Sequence, residues 1–391
     1  YGNNDDGDQD EHPEEMIAEA CRLADSQVDF SKYDWAGNGE VDQVYVIYAG
    51  QGEAAGGADE TIWPHASTLG YAGMSLKLDG VKIDSYACSA EMGLYGVDGI
   101  GTICHEFSHC LGYPDLYDVF YEGHFGMSDW DLMDYGGYND DGFTPAGYTA
   151  YEKWIAGWID YVELGDQDVK VDNLKPTAQG GSAYVLYNKG NRNEYYLLEN
   201  RQRTGWDAGL PASGLSVIHV DYDANCWINN VVNATGTFRK VNGWTADFTN
   251  DHQRLTIVHA DNDDDSKYWD EDNGQYTRQT LTGDLYPYKT NNTLSDSSKP
   301  AFGLYNKNAD GTRKMGVKVT DIANNGDGTV SFQYTATVTT EPTPEGQVFY
   351  ESFDKCAGKG GNDDAWSGNV GGNKLNADNE GWTYTSGGGA D

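Results

Sequence analysis

His105-Glu106-Phe107-Ser108-His109 is the stretch of this chain best suited to chemistry. On a helix, positions four apart lie on one face, so both imidazoles can reach one metal ion, and Glu106 points near that ion without needing to bind it. Neutral imidazoles bind Zn2+ at about 2.0–2.1 Å, and a catalytic zinc keeps one position for water. The metal lowers the pKa of that water to about 7, and a neighbouring carboxylate can take its proton as hydroxide attacks a carbonyl. Gly112 follows His109 by three residues and Asp115 follows Gly112 by three, which gives HExxHxxGxxD. The glycine lets the chain leave the helix at a φ that other residues avoid, so the next carboxylate can fold back to the metal. A glutamate on a downstream helix, Glu152, is the competing third ligand, but it gives Gly112 no role.

These residues need elements to hold them. The motif sits in a helix expected from about 99 to 111, stopped by Gly112. Upstream, 13–27 read as an amphipathic helix opened by Pro13, and 41–50 as a central strand. Residues 73–90 read as a hairpin turning at Asp79-Gly80, and the strand from 81 to 91 is the expected edge for an extended peptide. A further helix is expected over 145–158, opened by Pro145. Beyond 165, segments such as EYYLLEN, LSVIHVDYD and TVSFQYTATV are short strands between Gly, Asn and Asp turns. The chain is thus expected to be α+β. A catalytic core spans 1–165, with a mixed sheet and one active-site helix, and a β-rich region over 166–337 packs on it or completes it. A linker follows at 338–347, then the start of a further, truncated module at 348–391.

Composition narrows the function. A formal charge of −38 over 391 residues repels phosphates and anionic lipid, which argues against nucleic acid and electrostatic membrane docking. No apolar run approaches the roughly 18 residues of a membrane span, and no signal peptide is recognisable. Asp34, Asn38 and Asp42 offer oxygens around a glycine turn, the pattern of a Ca2+ loop, though without an acid at Ala36 or the closing Glu of an EF-hand. The acidic run 261–274 is a weaker calcium candidate. Cys104 and Cys110 face different ways on the helix and do not suit a thiolate zinc site, while Cys88 with Cys104 is a conceivable disulfide. His65, His219 and His259 lack ordered triad spacing and read as packing residues.

The block CHEFSHCLGYPDLYD, the turn WDLMDYGG, and the stretches VDQVYVIYAGQGE, DETIWPH, EKWIAGWID, YYLLENRQ, GLSVIHVDYD and GDLYP resemble the immune inhibitor A-type family of secreted zinc metallopeptidases. This is a metzincin-like branch in which Asp replaces the third His. The resemblance implies a metzincin-like zincin catalytic domain, with His105, His109 and Asp115 binding zinc and Glu106 as general base. Met133, eighteen residues past Asp115, would form the floor of the site as a methionine turn. Tyr135 and Tyr138 would border the pocket for the residue after the scissile bond. The expected protein is a secreted or cell-surface zinc endopeptidase, monomeric and acting on protein or peptide substrates, with Ca2+ as a candidate second ion at the 34–42 loop. A catalytically silent surface protein holding glycans or host protein is the alternative from another class, and a glycosidase using paired acids has only abundant aromatics and carboxylates in its favour.

Overall fold

The structure is a computed structural model that describes residues 1–2, 10–239, 247–264, 269–270, 275–276 and 281–336. It mixes α and β, with few helices and several sheets. The expected linker at 338–347 and module at 348–391 lie outside the described residues. The first helix, α1 (Pro13–Ala24), carries Pro13 in its first turn, where a missing N–H is harmless, and Glu14 and Glu15 at its positive end. Ile17, Ala18 and Cys21 form its buried stripe.

The first sheet holds β1 (Val44–Gln51), β2 (His65–Thr68), β5 (Ser85–Gly93) and β6 (Gly96–Val97), in the order β1-β5-β2, with β6 pairing the end of β5. β1 runs parallel to β5 and β2 antiparallel to it. The expected single strand over 81–91 is in fact two. A separate hairpin of β3 (Leu76–Leu78) and β4 (Val81–Ile83) turns at Asp79-Gly80, both with positive φ, as a two-residue primed turn requires. Asp84 then redirects the chain, its carboxylate accepting from Gly70 N at 2.8 Å and Lys82 Nζ at 2.7 Å. β5 is not an edge: Tyr86–Ala90 are buried without alternation, as in a strand covered on both faces. The outer strands are β1 and β2, and β2 is the one whose His65 and Ala66 line the cleft over the motif.

The motif helix, α2 (Ile100–Cys110), lies against this sheet. Its start also abuts another backbone, because a Cβ on Gly101 would lie 1.8 Å from Gly137 O, and Gly101 N donates to Gly142 O at 3.0 Å. The helix expected over 145–158 shortens to α3 (Ala150–Ile155). Its intended first turn is taken by tertiary bonds, Ala146 N to Gly136 O at 2.8 Å and Gly147 N to Asp207 Oδ1 at 3.0 Å. Gly157, at φ +71°, stops it.

Farther along, β7 (Tyr161–Glu163), β9 (Ala183–Tyr187), β10 (Glu194–Arg201), β11 (Gly214–Asp221) and Leu255–Ile257 form a five-stranded sheet, while β8 (Val169–Leu174) closes a four-stranded sheet with Leu294–Ser295, Lys318–Asn324 and Val330–Thr335. Side chains on β10 alternate between two cores. Tyr196 and Leu198 pack toward Val319 and Phe332, while Tyr195 and Leu197 join Leu116, Trp130 and Met133. The region around Met133 therefore rests on the second sheet. Among the described residues no helix is long and apolar enough to cross a membrane, and Cys88 and Cys104 are free thiols rather than a disulfide.

Arg201, buried at the end of β10, ties these parts together. Its guanidinium donates to both Asp207 oxygens at 2.8 and 3.0 Å, to Gly147 O at 3.0 Å and to Trp130 O at 3.3 Å. Asp131, Glu199 and Asp207 are the acids whose charges it offsets. Arg201→Met should strand that buried carboxylate network and lower stability by about 3–5 kcal/mol, read as an earlier urea midpoint; an unchanged midpoint would show that the network needs no guanidinium.

Candidate metal centre and cleft

α2 presents His105 and His109 one turn apart, their rings 4.9 Å between centroids and perpendicular. Each ring is fixed by its Nδ1–H. His105 Nδ1 donates to Leu132 O at 2.8 Å, and His109 Nδ1 to Tyr113 O at 2.8 Å. With that proton spent on a carbonyl, each Nε2 carries a lone pair, and both lone pairs face Asp115 Oδ1, at 3.1 and 3.2 Å. Asp115 Oδ1 is buried without a hydrogen-bond donor. Three acceptors thus converge on one point. Two imidazole nitrogens and one carboxylate oxygen are a donor set that suits zinc, and the orphaned oxygen is what a cation would satisfy. Among the described residues this is the one such group, its ligand atoms within 4.8 Å of one another.

Without a metal, a proton takes the cation's part. Burial, the largest influence, pushes the His105 imidazole down, but the Asp115 carboxylate outweighs it and the pKa rises to about 9. Burial likewise works to raise Asp115, yet both histidines hold it well below the usual carboxylate range.

The turn that brings Asp115 back is built as the motif requires. Gly112 is left-handed at φ +93°, and Tyr113 N donates to Ser108 O at 3.2 Å, the long bond that closes a helix in this way. Met133 is fully buried. Its turn braces the ligands from below, since Leu132 O orients His105 and Met133 O accepts from Leu116 N at 2.8 Å, beside Asp115. Asp131 Oδ1 accepts from Met133 N at 2.8 Å, and Asp134 accepts from Met127, Ser128 and Tyr135 N, each at 2.7 Å.

Sequence reading missed Asn230. Its Oδ1 accepts from Asp115 N at 2.7 Å and its Nδ2 donates to Asp115 Oδ2 at 2.6 Å, which leaves Oδ1 for the histidines. Asn230 adopts φ +56°, a conformation Asn tolerates. Lying 115 residues from its partner, it carries no spacing signal.

Glu106 is nearly buried at the edge of the group, and burial raises its pKa against the pull of both histidines. Trp63, His105, Glu106 and Tyr117 line both an open cleft of about 450 Å3 over the cluster and a deeper pocket of about 100 Å3. Tyr135 and Tyr138 line that pocket, with Thr102 and Gly137. Tyr117, which sequence reading did not single out, keeps its phenol proton, because burial and the charges of Asp115 and Glu106 raise its pKa.

Glu152 is not drawn to the cluster; it is buried and accepts from the Thr149 hydroxyl. Asp34, Asn38 and Asp42 hold one tight turn together. Asp34 accepts from Asn38 N and Gly39 N at 3.0 Å, Asn38 Oδ1 from Glu40 N at 3.0 Å, and Asp42 Oδ2 from Trp35 N at 2.5 Å. Of the acidic run 261–274, residues 265–268 and 271–274 lie outside the described residues. His219 pairs with Glu194 at 3.0 Å and His259 with Asp284 at 2.7 Å, as packing residues do.

Asp115→Ala should abolish retention of zinc through a desalting step, and Asn230→Ala should weaken zinc binding about 10- to 100-fold in a chelator competition. Wild-type affinity in Asn230→Ala would mean that Asp115 needs no support from the later sheet.

Residues 1–160 match the family described as immune inhibitor A peptidase M6, catalytic domain. Immune inhibitor A of Bacillus thuringiensis subsp. alesti is 29% identical over 182 residues, 39% of this chain and 26% of that protein. The pre-pro-metalloprotease PrtV of Vibrio cholerae serotype O1 (strain M66-2) is 27% identical over 204 residues, 44% of this chain and 22% of that protein. The chain therefore spans about a quarter of the length of these relatives. No solved structure matches it significantly. His105, Glu106, His109 and Asp115 all fall within the residues that match the immune inhibitor A peptidase M6 catalytic domain.

Proposed function

We propose that the chain is a zinc-dependent endopeptidase with a metzincin-like catalytic domain. The observation that carries this reading is the buried Asp115 Oδ1, without a donor, facing two Nε2 lone pairs with Glu106 beside them. His105, His109 and Asp115 would hold the ion, over the floor made by Met133. Zinc held there supplies Lewis acidity, which acidifies water and polarises a carbonyl. Glu106 does the proton work: a carboxylate oxygen takes a proton from the attacking water and returns it to the leaving amine nitrogen. Burial of Asp115 and Glu106 themselves limits the bulk water that competes with these transfers.

A peptide substrate would add to the first sheet beside β2, its outer strand on the side of the cleft, with backbone bonds supplying affinity and side chains dropping into the pocket by Tyr135 and Tyr138. The bonds from Asn230 to Asp115 and from Arg201 to Trp130 support residues 166–337 as the part that completes a catalytic core at 1–165. An extracellular place of action belongs to the same reading and draws on the charge of −38.

Purified chain should carry one zinc and cleave casein in a chelator-sensitive way. Glu106→Ala should keep the zinc while cleavage falls by about 100-fold or more. Full cleavage in Glu106→Ala would remove the base from the scheme, and zinc without any cleavage in the wild type would favour a silent binding protein.

A further inference from the structure

Beside the cleft runs a broader groove of about 490 Å3. One wall is the β5–β6 hairpin, where Leu94, Tyr95 and Val97 are 61%, 87% and 68% exposed; the other is Phe143, 58% exposed, with Tyr138. Large apolar side chains gathered in the open in this way mark a binding surface. The groove is continuous with the candidate site. Thr102 and Tyr138 line both the groove and the deeper pocket, and Pro64 lines both the groove and the open cleft.

Strand direction says what would enter it. β2 pairs with β5 from His65↔Cys88 to Thr68↔Ser85, so its first residue sits toward the end of β5 that leads to Leu94. A peptide that adds to β2 in the antiparallel sense, the more stable ladder, runs the opposite way, from Thr68 toward Pro64. Its residues past His105 and Glu106 therefore leave over the groove. At about 3.3 Å per residue, the second to fourth positions beyond the cut span roughly 10 Å, enough to reach the hairpin.

We propose that this groove binds the part of the substrate downstream of the scissile bond, so that the enzyme selects extended polypeptide with apolar residues two to four positions past the cut. The proposal rests on the peptidase reading. Asp98 and Asp141 also line the groove, and together with the net charge of −38 they disfavour acidic residues in that stretch and accept basic ones.

The test uses two internally quenched peptides, identical through the first residue after the cut. One continues with Leu-Phe-Gln and the other with Ser-Ser-Gln, so that the two carry the same charge. The apolar peptide should have a kcat/KM about tenfold or more higher, mainly through KM, since two buried apolar side chains supply that much binding. In Tyr95→Ser/Val97→Ser the ratio between the peptides should collapse to about 1. A wild-type ratio near 1, or an undiminished ratio in the double variant, overturns the proposal. So does loss of a dimer in the double variant by light scattering, which would make the groove an interface between copies. Anisotropy of both peptides on Glu106→Ala chain separates the two readings. Tighter binding of the apolar peptide supports the groove even if neither peptide is cut by the wild type, a result that would sink the peptidase reading alone. Equal binding, with both peptides cut, sinks the groove alone.

Discussion

Three acceptors that repel one another are held together at the centre of this molecule. His105 Nε2, His109 Nε2 and Asp115 Oδ1 meet at 3.1–3.2 Å, and both Nδ1 protons that could have relieved the clash are committed to backbone carbonyls. Such an arrangement is tolerable only with a cation, whether a proton or a metal. Much of the surrounding structure keeps these groups from turning away. The Leu132 carbonyl holds one ring, the Tyr113 carbonyl the other, and Asn230 grips the carboxylate from behind.

Those braces come from distant parts of the chain. Leu132 belongs to the turn under the site, and that turn rests on the five-stranded sheet through Met133, Trp130, Leu197 and Ile218. Arg201 reaches from the same sheet to Trp130 and Gly147. A motif of eleven residues thus draws on a region that begins fifty residues after it. Stability and site geometry are coupled here, because what fixes the turn also fixes the imidazole tautomer.

The cleft shows the same division. His105, Glu106 and His109 of α2 line one side of it, and His65 and Ala66 of β2 the other. The strand expected at the rim, 81–91, is central because Tyr86–Ala90 are covered on both faces, a property a short apolar run shares with an edge strand until its neighbours are known. The helix expected from Pro145 starts at Ala150, because Ala146 and Gly147 give their N–H groups to other segments rather than to a first turn.

What the sequence determined was local: HExxH on one helical face, a left-handed glycine after it, and a carboxylate placed to return. Spacing along 3.6-residue turns and the φ freedom of Gly112 are written in a short stretch of chain, so His105, Glu106, His109 and Asp115 were legible together. Only the tertiary structure decided which strand is the rim, that Glu152 stays buried elsewhere, and that Asn230 holds Asp115 across 115 residues. Hydrogen bonds between distant segments have no period and no fixed offset. They exist only once packing has brought their donors and acceptors within about 3 Å.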